Sequence, residues 1–138
     1  MMGRNRKLNM AQTITKSAKD IVKAAKLAVP TMSAEEALAL AGSPDHIFVD
    51  IRDNEEQAKT RVMQGAITSS RGMMEFHFAP ESPLHKPEFS QDKTYVFYCA
   101  SGGGSAMVAA VTIDMDLSPV VNLTGGVGVW DMAGGVLE

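Results

Sequence analysis

The chain has 138 residues, a formal net charge of −3, a 45% hydrophobic fraction and a 21% charged fraction. That is enough for one domain with a buried core, and no apolar run approaches the roughly eighteen residues of a transmembrane helix. One cysteine excludes an internal disulfide, and no apolar signal core with a cleavage site stands near the start, so a reducing, cytoplasmic location is expected.

Charge is unevenly placed. Residues 1–29 carry Arg4, Arg6, Lys7, Lys16, Lys19, Lys23 and Lys26 against Asp20, a net +6, while the remainder is −9. No aromatic residue interleaves with these bases, as a single-strand binder would require. They are read as a solvated helix face, with neither nucleic acid nor membrane as a partner. Met10-Ala11-Gln12-Thr13 has the form of a natural start. Residues 1–12 are therefore read as an N-terminal extension, disordered or a tag, and 13–138 as the domain. The ten methionines are scattered and read as core filler.

Ile14, Ala18, Ile21, Val22, Ala25 and Ala28 fall at helical spacing until Pro30. Ser33-Ala34-Glu35-Glu36 is a capping-box signature for a short helix reaching Ala41, ended by Gly42. Ile47-Phe48-Val49-Asp50 is too short for a helix and suits a strand buried on both faces. Asp53 or Asn54 then caps a helix over 55–59. Gly65-Ala66-Ile67 reads as a brief strand, residues 71–76 as a helical turn, and the segment with Pro80, Pro83 and Pro87 as an irregular loop.

Thr94-Tyr95-Val96-Phe97-Tyr98 has the strongest β-propensity in the chain. A loop from Cys99 to Gly104 leads into a helix from Ser105 to about Met115, with Met107, Val108, Val111 and Met115 expected on one face. Residues 120–123 form another buried strand, and Gly125-Gly126 turns into a last helical turn around Trp130. This alternation gives an α/β fold: one domain with a mainly parallel central sheet and helices on both faces. In such sheets ligands bind beyond the carboxyl ends of the strands, which is where Cys99 stands.

Cys99-Ala100-Ser101-Gly102-Gly103-Gly104-Ser105 carries the chemistry. Three consecutive glycines let successive amides turn inward as an anion nest. The helix opening at Ser105 adds its free amides and partial positive charge. Such donors lower a thiol's pKa and make it a nucleophile. No lysine follows the last glycine, which excludes a Walker phosphate loop.

With these residues in view, the sequence resembles the rhodanese family in its single-domain form. The likeness runs through Val49-Asp50-Ile51-Arg52-Asp53, Gly65-Ala66-Ile67, residues 71–76, residues 96–103, and Leu123-Thr124-Gly125-Gly126 with Trp130. It implies a sulfurtransferase in which Cys99 takes sulfane sulfur from a small anionic donor such as thiosulfate. The resulting persulfide yields its sulfur to cyanide or to a thiol, including a protein thiol. Ala100, Ser101, Gly102, Gly103, Gly104 and Ser105 would bind the donor, with no cofactor and no metal.

One departure matters: relatives commonly carry arginine where this chain has Gly104. Its loss makes a non-catalytic rhodanese-like binding module the alternative reading. Arg71 is the candidate to replace that charge. Asp116 stands where the family usually has glycine, in a turn that aspartate tolerates if the backbone is left-handed. Phosphatases and arsenate reductases place an arginine six positions after the cysteine. Here that position is Ser105, which argues against them. Asp50 and Arg52 are read as a structural ion pair, Trp130 as packing, and His77 as a solvated loop residue. His46, His77 and His85 are too dispersed for a metal site.

Overall fold

The computed structural model describes residues 12–138, so the extension expected at residues 1–12 lies, but for Gln12, outside the described residues. In chain order the elements are α1 (Ala18–Ala28), β1 (Thr31–Met32), α2 (Ala34–Ala39), β2 (His46–Asp50), α3 (Asn54–Thr60) and β3 (Ile67–Thr68). There follow α4 (Met74–Phe78), a 3-10 turn at Pro87–Phe89, β4 (Thr94–Tyr98), α5 (Gly103–Asp114), β5 (Val120–Leu123) and α6 (Gly126–Met132). The five strands form a parallel sheet in the order β1-β5-β4-β2-β3.

β4 lies at the centre, and its period-two alternation divides the core. Tyr95 and Phe97, continued by Cys99, face Phe78 of α4 and Ala106, Val108 and Ala109 of α5. Val96 and Tyr98 face the opposite side with Met63, Val127 and Trp130. The sheet is thus covered on both faces, which is why these strands read as apolar runs. β2 pairs with β4 from His46 opposite Thr94 to Asp50 opposite Tyr98. Both strands therefore end at one level, and the loops leaving them share the carboxyl edge of the sheet.

The element boundaries differ from expectation for local reasons. α1 starts at Ala18 because the Ser17 hydroxyl accepts from the Asp20 amide at 3.0 Å, leaving Ile14 outside the helix and 84% exposed. The capping box of Ser33 and Glu36 is formed, and α2 stops at Ala39. β3 begins only at Ile67, since Gly65 has φ +79° and turns the chain. β1 has two residues, too few for a periodicity to register.

α5 corrects two readings. It opens at Gly103, so Gly103 and Gly104 belong to its first turn rather than to a preceding loop. Its buried side chains are Ser105, Ala106, Val108, Ala109 and Thr112, whereas Val111 and Met115 are exposed. The helix is apolar nearly all round, so periodicity selects no face. Small residues win because they let the helix seat closely on the sheet and under α1. Asp116 holds φ +66°, so the turn is left-handed there and aspartate is a residue that tolerates it.

Candidate active site

Two glycines set the path of the chain around Cys99. Gly102 has φ +96°, and a side chain there would press on the Gly125 amide at 3.1 Å and the Leu123 carbonyl at 3.2 Å. Gly126, with φ +66°, is held so close that a Cβ would fall on the Cys99 carbonyl. That carbonyl accepts from the Val127 amide at 2.9 Å, which ties the cysteine to the start of α6. The reversal at Gly102 directs its own amide at Cys99 Sγ, 3.1 Å away, and places the Ser105 hydroxyl 3.4 Å from the sulfur.

Cys99 is 8% exposed. Burial pushes its thiol up. The Ser105 hydroxyl and the amides of Ser105, Ser101 and Gly102 outweigh that burial and hold the thiol below its ordinary value. A thiolate is thus favoured by backbone amides fixed before any substrate arrives.

Outward from the sulfur lies a cavity of about 510 Å³, floored by Cys99, Ala100 and Gly104. Ile51, Arg52, Asp53 and Glu56, from the end of β2 and α3, and Ser70, Arg71 and Gly72, from the loop after β3, complete its lining. The loop carrying Arg71 is pinned to the end of β2 by hydrogen bonds from the Ser69 amide to the Asp50 carbonyl and from the Arg71 amide to the Ile51 carbonyl, both 3.0 Å. Arg71 then reaches across: a Cβ on Gly104 would lie 3.8 Å from Arg71 Nη1 and 3.9 Å from Cys99 Sγ. Its other terminal nitrogen donates to Met107 Sδ at 3.8 Å. The guanidinium therefore overhangs the spot that the glycine leaves open.

The remaining residues singled out in the sequence sort themselves around this cavity. Ser101 contributes its amide to the sulfur while its side chain is exposed. Gly103 is turned toward Val22 of α1, where an added Cβ would meet Val22 at 3.3 Å. Ser105 sits fully buried behind the sulfur, not in the cavity. Asp50 and Arg52 form a buried pair: Arg52 Nη2 donates to Asp50 Oδ2 at 2.8 Å and Nε to Oδ1 at 3.1 Å. Arg52 also donates to Thr60 Oγ1 and to the Arg61 carbonyl, so its charge is spent on structure.

Trp130 is buried and donates from Nε1 to the Val136 carbonyl at 3.1 Å. His77, read as solvated, is half-buried with Nδ1 2.8 Å from Ser69 Oγ. Burial and the nearby Lys86 push its pKa down. Among the described residues no group of three or more His, Cys, Asp and Glu side chains could hold a metal, and no helix is long and apolar enough to cross a membrane. Asn122 is the neighbour that sequence reasoning missed. It accepts from Ser105 Oγ at 2.6 Å and donates to the Gly102 carbonyl at 3.2 Å. Its one signal was a polar side chain inside an apolar strand, which must be hydrogen-bonded when buried.

The family model described as "Rhodanese-like domain" matches residues 33–133. No curated protein matches the chain. A solved protein of unknown function from Rhodopseudomonas palustris, described as a possible tyrosine phosphatase, is 42% identical, covering 94% of this chain and 100% of its own, with a TM-score of 0.90. The human single-domain sulfurtransferase has the same fold at 22% identity, covering 75% of this chain and 96% of its own, with a TM-score of 0.65. So does the thiosulfate sulfurtransferase of Pseudomonas aeruginosa, at 22% identity and a TM-score of 0.71 over 88% of this chain and 22% of its own. The chain belongs to the rhodanese-like domain family.

Proposed function

We propose that the protein is a sulfurtransferase whose nucleophile is Cys99. The observation that carries this reading is a thiol ringed by backbone donors at the floor of a small cavity, with an arginine overhead. In the first step the Cys99 thiolate attacks the outer sulfur of a thiosulfate-like donor. The Cys99 S–S bond forms, the donor's S–S bond breaks, and sulfite leaves with that electron pair. In the second step cyanide or a thiolate attacks the terminal sulfur of the persulfide, and Cys99 departs as thiolate. Atoms and electrons balance without cofactor or external oxidant, and ping-pong kinetics follow.

Arg71 supports an anionic donor, since its guanidinium supplies the charge that Gly104 lacks. Asp53 and Glu56 in the same lining counter it. Binding of a dianion is therefore weak, and a thiosulfate KM on the high side is expected. Those same acids weigh against a phosphatase reading, which the description of the Rhodopseudomonas protein raises. Phosphoryl transfer requires a guanidinium fixed within the loop to clamp a dianion. The loop here has Gly104 and Ser105 in that place, and Arg71 is exposed at the rim.

Steady-state assay of thiocyanate from thiosulfate and cyanide tests the proposal. Parallel-line kinetics that require Cys99 are expected. Hydrolysis of p-nitrophenyl phosphate without thiocyanate production would favour the phosphatase, and neither activity would favour a binding module.

A further inference from the structure

Ser105 has one hydroxyl proton and two acceptors within reach. Its Oγ lies 2.6 Å from Asn122 Oδ1 and 3.4 Å from Cys99 Sγ. Ser105 is 0% and Asn122 1% exposed, so each unsatisfied lone pair or proton here is costly. The Asn122 amide cannot turn over. Its Nδ2 donates to the Gly102 carbonyl at 3.2 Å, and reversal would set two acceptor oxygens face to face. Oδ1 therefore stays on Ser105 and takes its proton. Ser105 then shows the sulfur a lone pair, which suits a thiol S–H and repels a thiolate.

We propose that Asn122 is a positioning residue for Cys99: it holds the Ser105 hydroxyl as acceptor toward the thiol and releases that hydroxyl to donate a hydrogen bond to the sulfur when the thiolate forms. The thiol proton leaves through the cavity. The Ser105 O–H rotates from Oδ1 to Sγ with its own covalent bond intact, so the S–H bond is the one bond broken. The anion gains a donor only at the stage at which it reacts. This rests on Cys99 being the nucleophile. The charged groups that face the sulfur's cavity are Arg71, the paired Arg52, and Asp53 and Glu56 of α3. All are on the cavity side, whereas Ser105 and Asn122 lie behind the sulfur, so substitutions at 122 leave those charges unchanged.

The test is the pH dependence of iodoacetamide alkylation in the full chain, where Cys99 is the one thiol. Asn122→Val removes the competing acceptor, and the Gly102 carbonyl keeps the Ala106 amide at 3.3 Å. Ser105 then donates to sulfur permanently. The titration midpoint falls, and alkylation below it accelerates about tenfold, the effect of one hydrogen bond to a charged group. Asn122→Asp keeps the acceptor toward Ser105, with its second oxygen protonated against the Gly102 carbonyl or ionised, and in neither state does the midpoint fall. Adding Ser105→Ala to Asn122→Val erases the acceleration.

Midpoints moving the same way in the valine and aspartate variants, or acceleration that survives Ser105→Ala, would overturn the proposal. Asn122→Ala repeats the measurement if valine prevents folding. Alkylation reads the thiolate without any sulfur donor. The expected shifts in a protein that takes no sulfur from thiosulfate would therefore overturn the sulfurtransferase reading alone.

Discussion

Arg71→Ala removes the guanidinium that overhangs Gly104, and its size of effect can be worked from the structure. The separations of 3.8 and 3.9 Å about Gly104 put Nη1 within about 8 Å of Cys99 Sγ, where unit charges at an effective dielectric of about 20 interact by about 2 kcal/mol. Arg71 is exposed, and salt screens over a similar length, so roughly half of that survives for a bound monoanion and more for a dianion. The expected result is a thiosulfate KM raised about tenfold with kcat changed little, because the charge binds the donor before and during attack alike.

The assay is thiocyanate formation at saturating cyanide, repeated at low and high ionic strength. The difference between wild type and variant should shrink as salt rises. Gly104→Arg in the Arg71→Ala background supplies a guanidinium from the vacated side and should recover most of the loss. In the wild-type background the new side chain would start 3.8 Å from Arg71 Nη1. There it sets two cations together and should gain little. An unchanged KM in Arg71→Ala, or a defect confined to kcat, would refute this assignment.

Cys99→Ser should abolish thiocyanate formation while leaving the thermal midpoint within a few degrees, checked by steady-state assay and calorimetry. The depressed Cys99 thiol gives a pH signature: sulfur loading should rise with pH, with a midpoint below the about 8.5 of a free thiol, and level off above it. The same shift contributes stability above the free-thiol value, and that contribution fades as pH falls through the folded value. It should appear as a pH-dependent difference in urea midpoint between wild type and Cys99→Ser. Arg52→Leu strands the buried Asp50 carboxylate and should cost about 3–5 kcal/mol, read from urea unfolding. Glu56→Gln takes an acid from the cavity wall and should lower the thiosulfate KM a few-fold, with the change diminishing in salt.

The sheet and the position of Cys99 were legible because buried parallel strands are written as short apolar runs, and Ile47–Asp50 and Thr94–Tyr98 are such runs. The capping box at Ser33 and the role of Asp116 were equally local, each set by a few consecutive residues. What escaped depends on contacts distant in sequence. The start of α5 at Gly103 required knowing that Gly102 is wedged against Leu123 and Gly125. Arg71 can be named from the sequence as the candidate to replace the charge missing at Gly104, but its reach over a residue more than thirty positions away depends on the pairing of its loop to β2. Asn122 showed only as a polar residue in an apolar strand, and its partners Ser105 and Gly102 could not be named because they are brought to it by the register of β5 beside β4.

Intact-mass spectrometry after incubation with thiosulfate tests the central claim most directly. A thiolate cradled by peptide N–H groups should retain the mass of one added sulfur atom, lose it to cyanide, and show no gain once Cys99 is serine. A protein that never acquires that mass, or a serine variant that still does, would contradict the account.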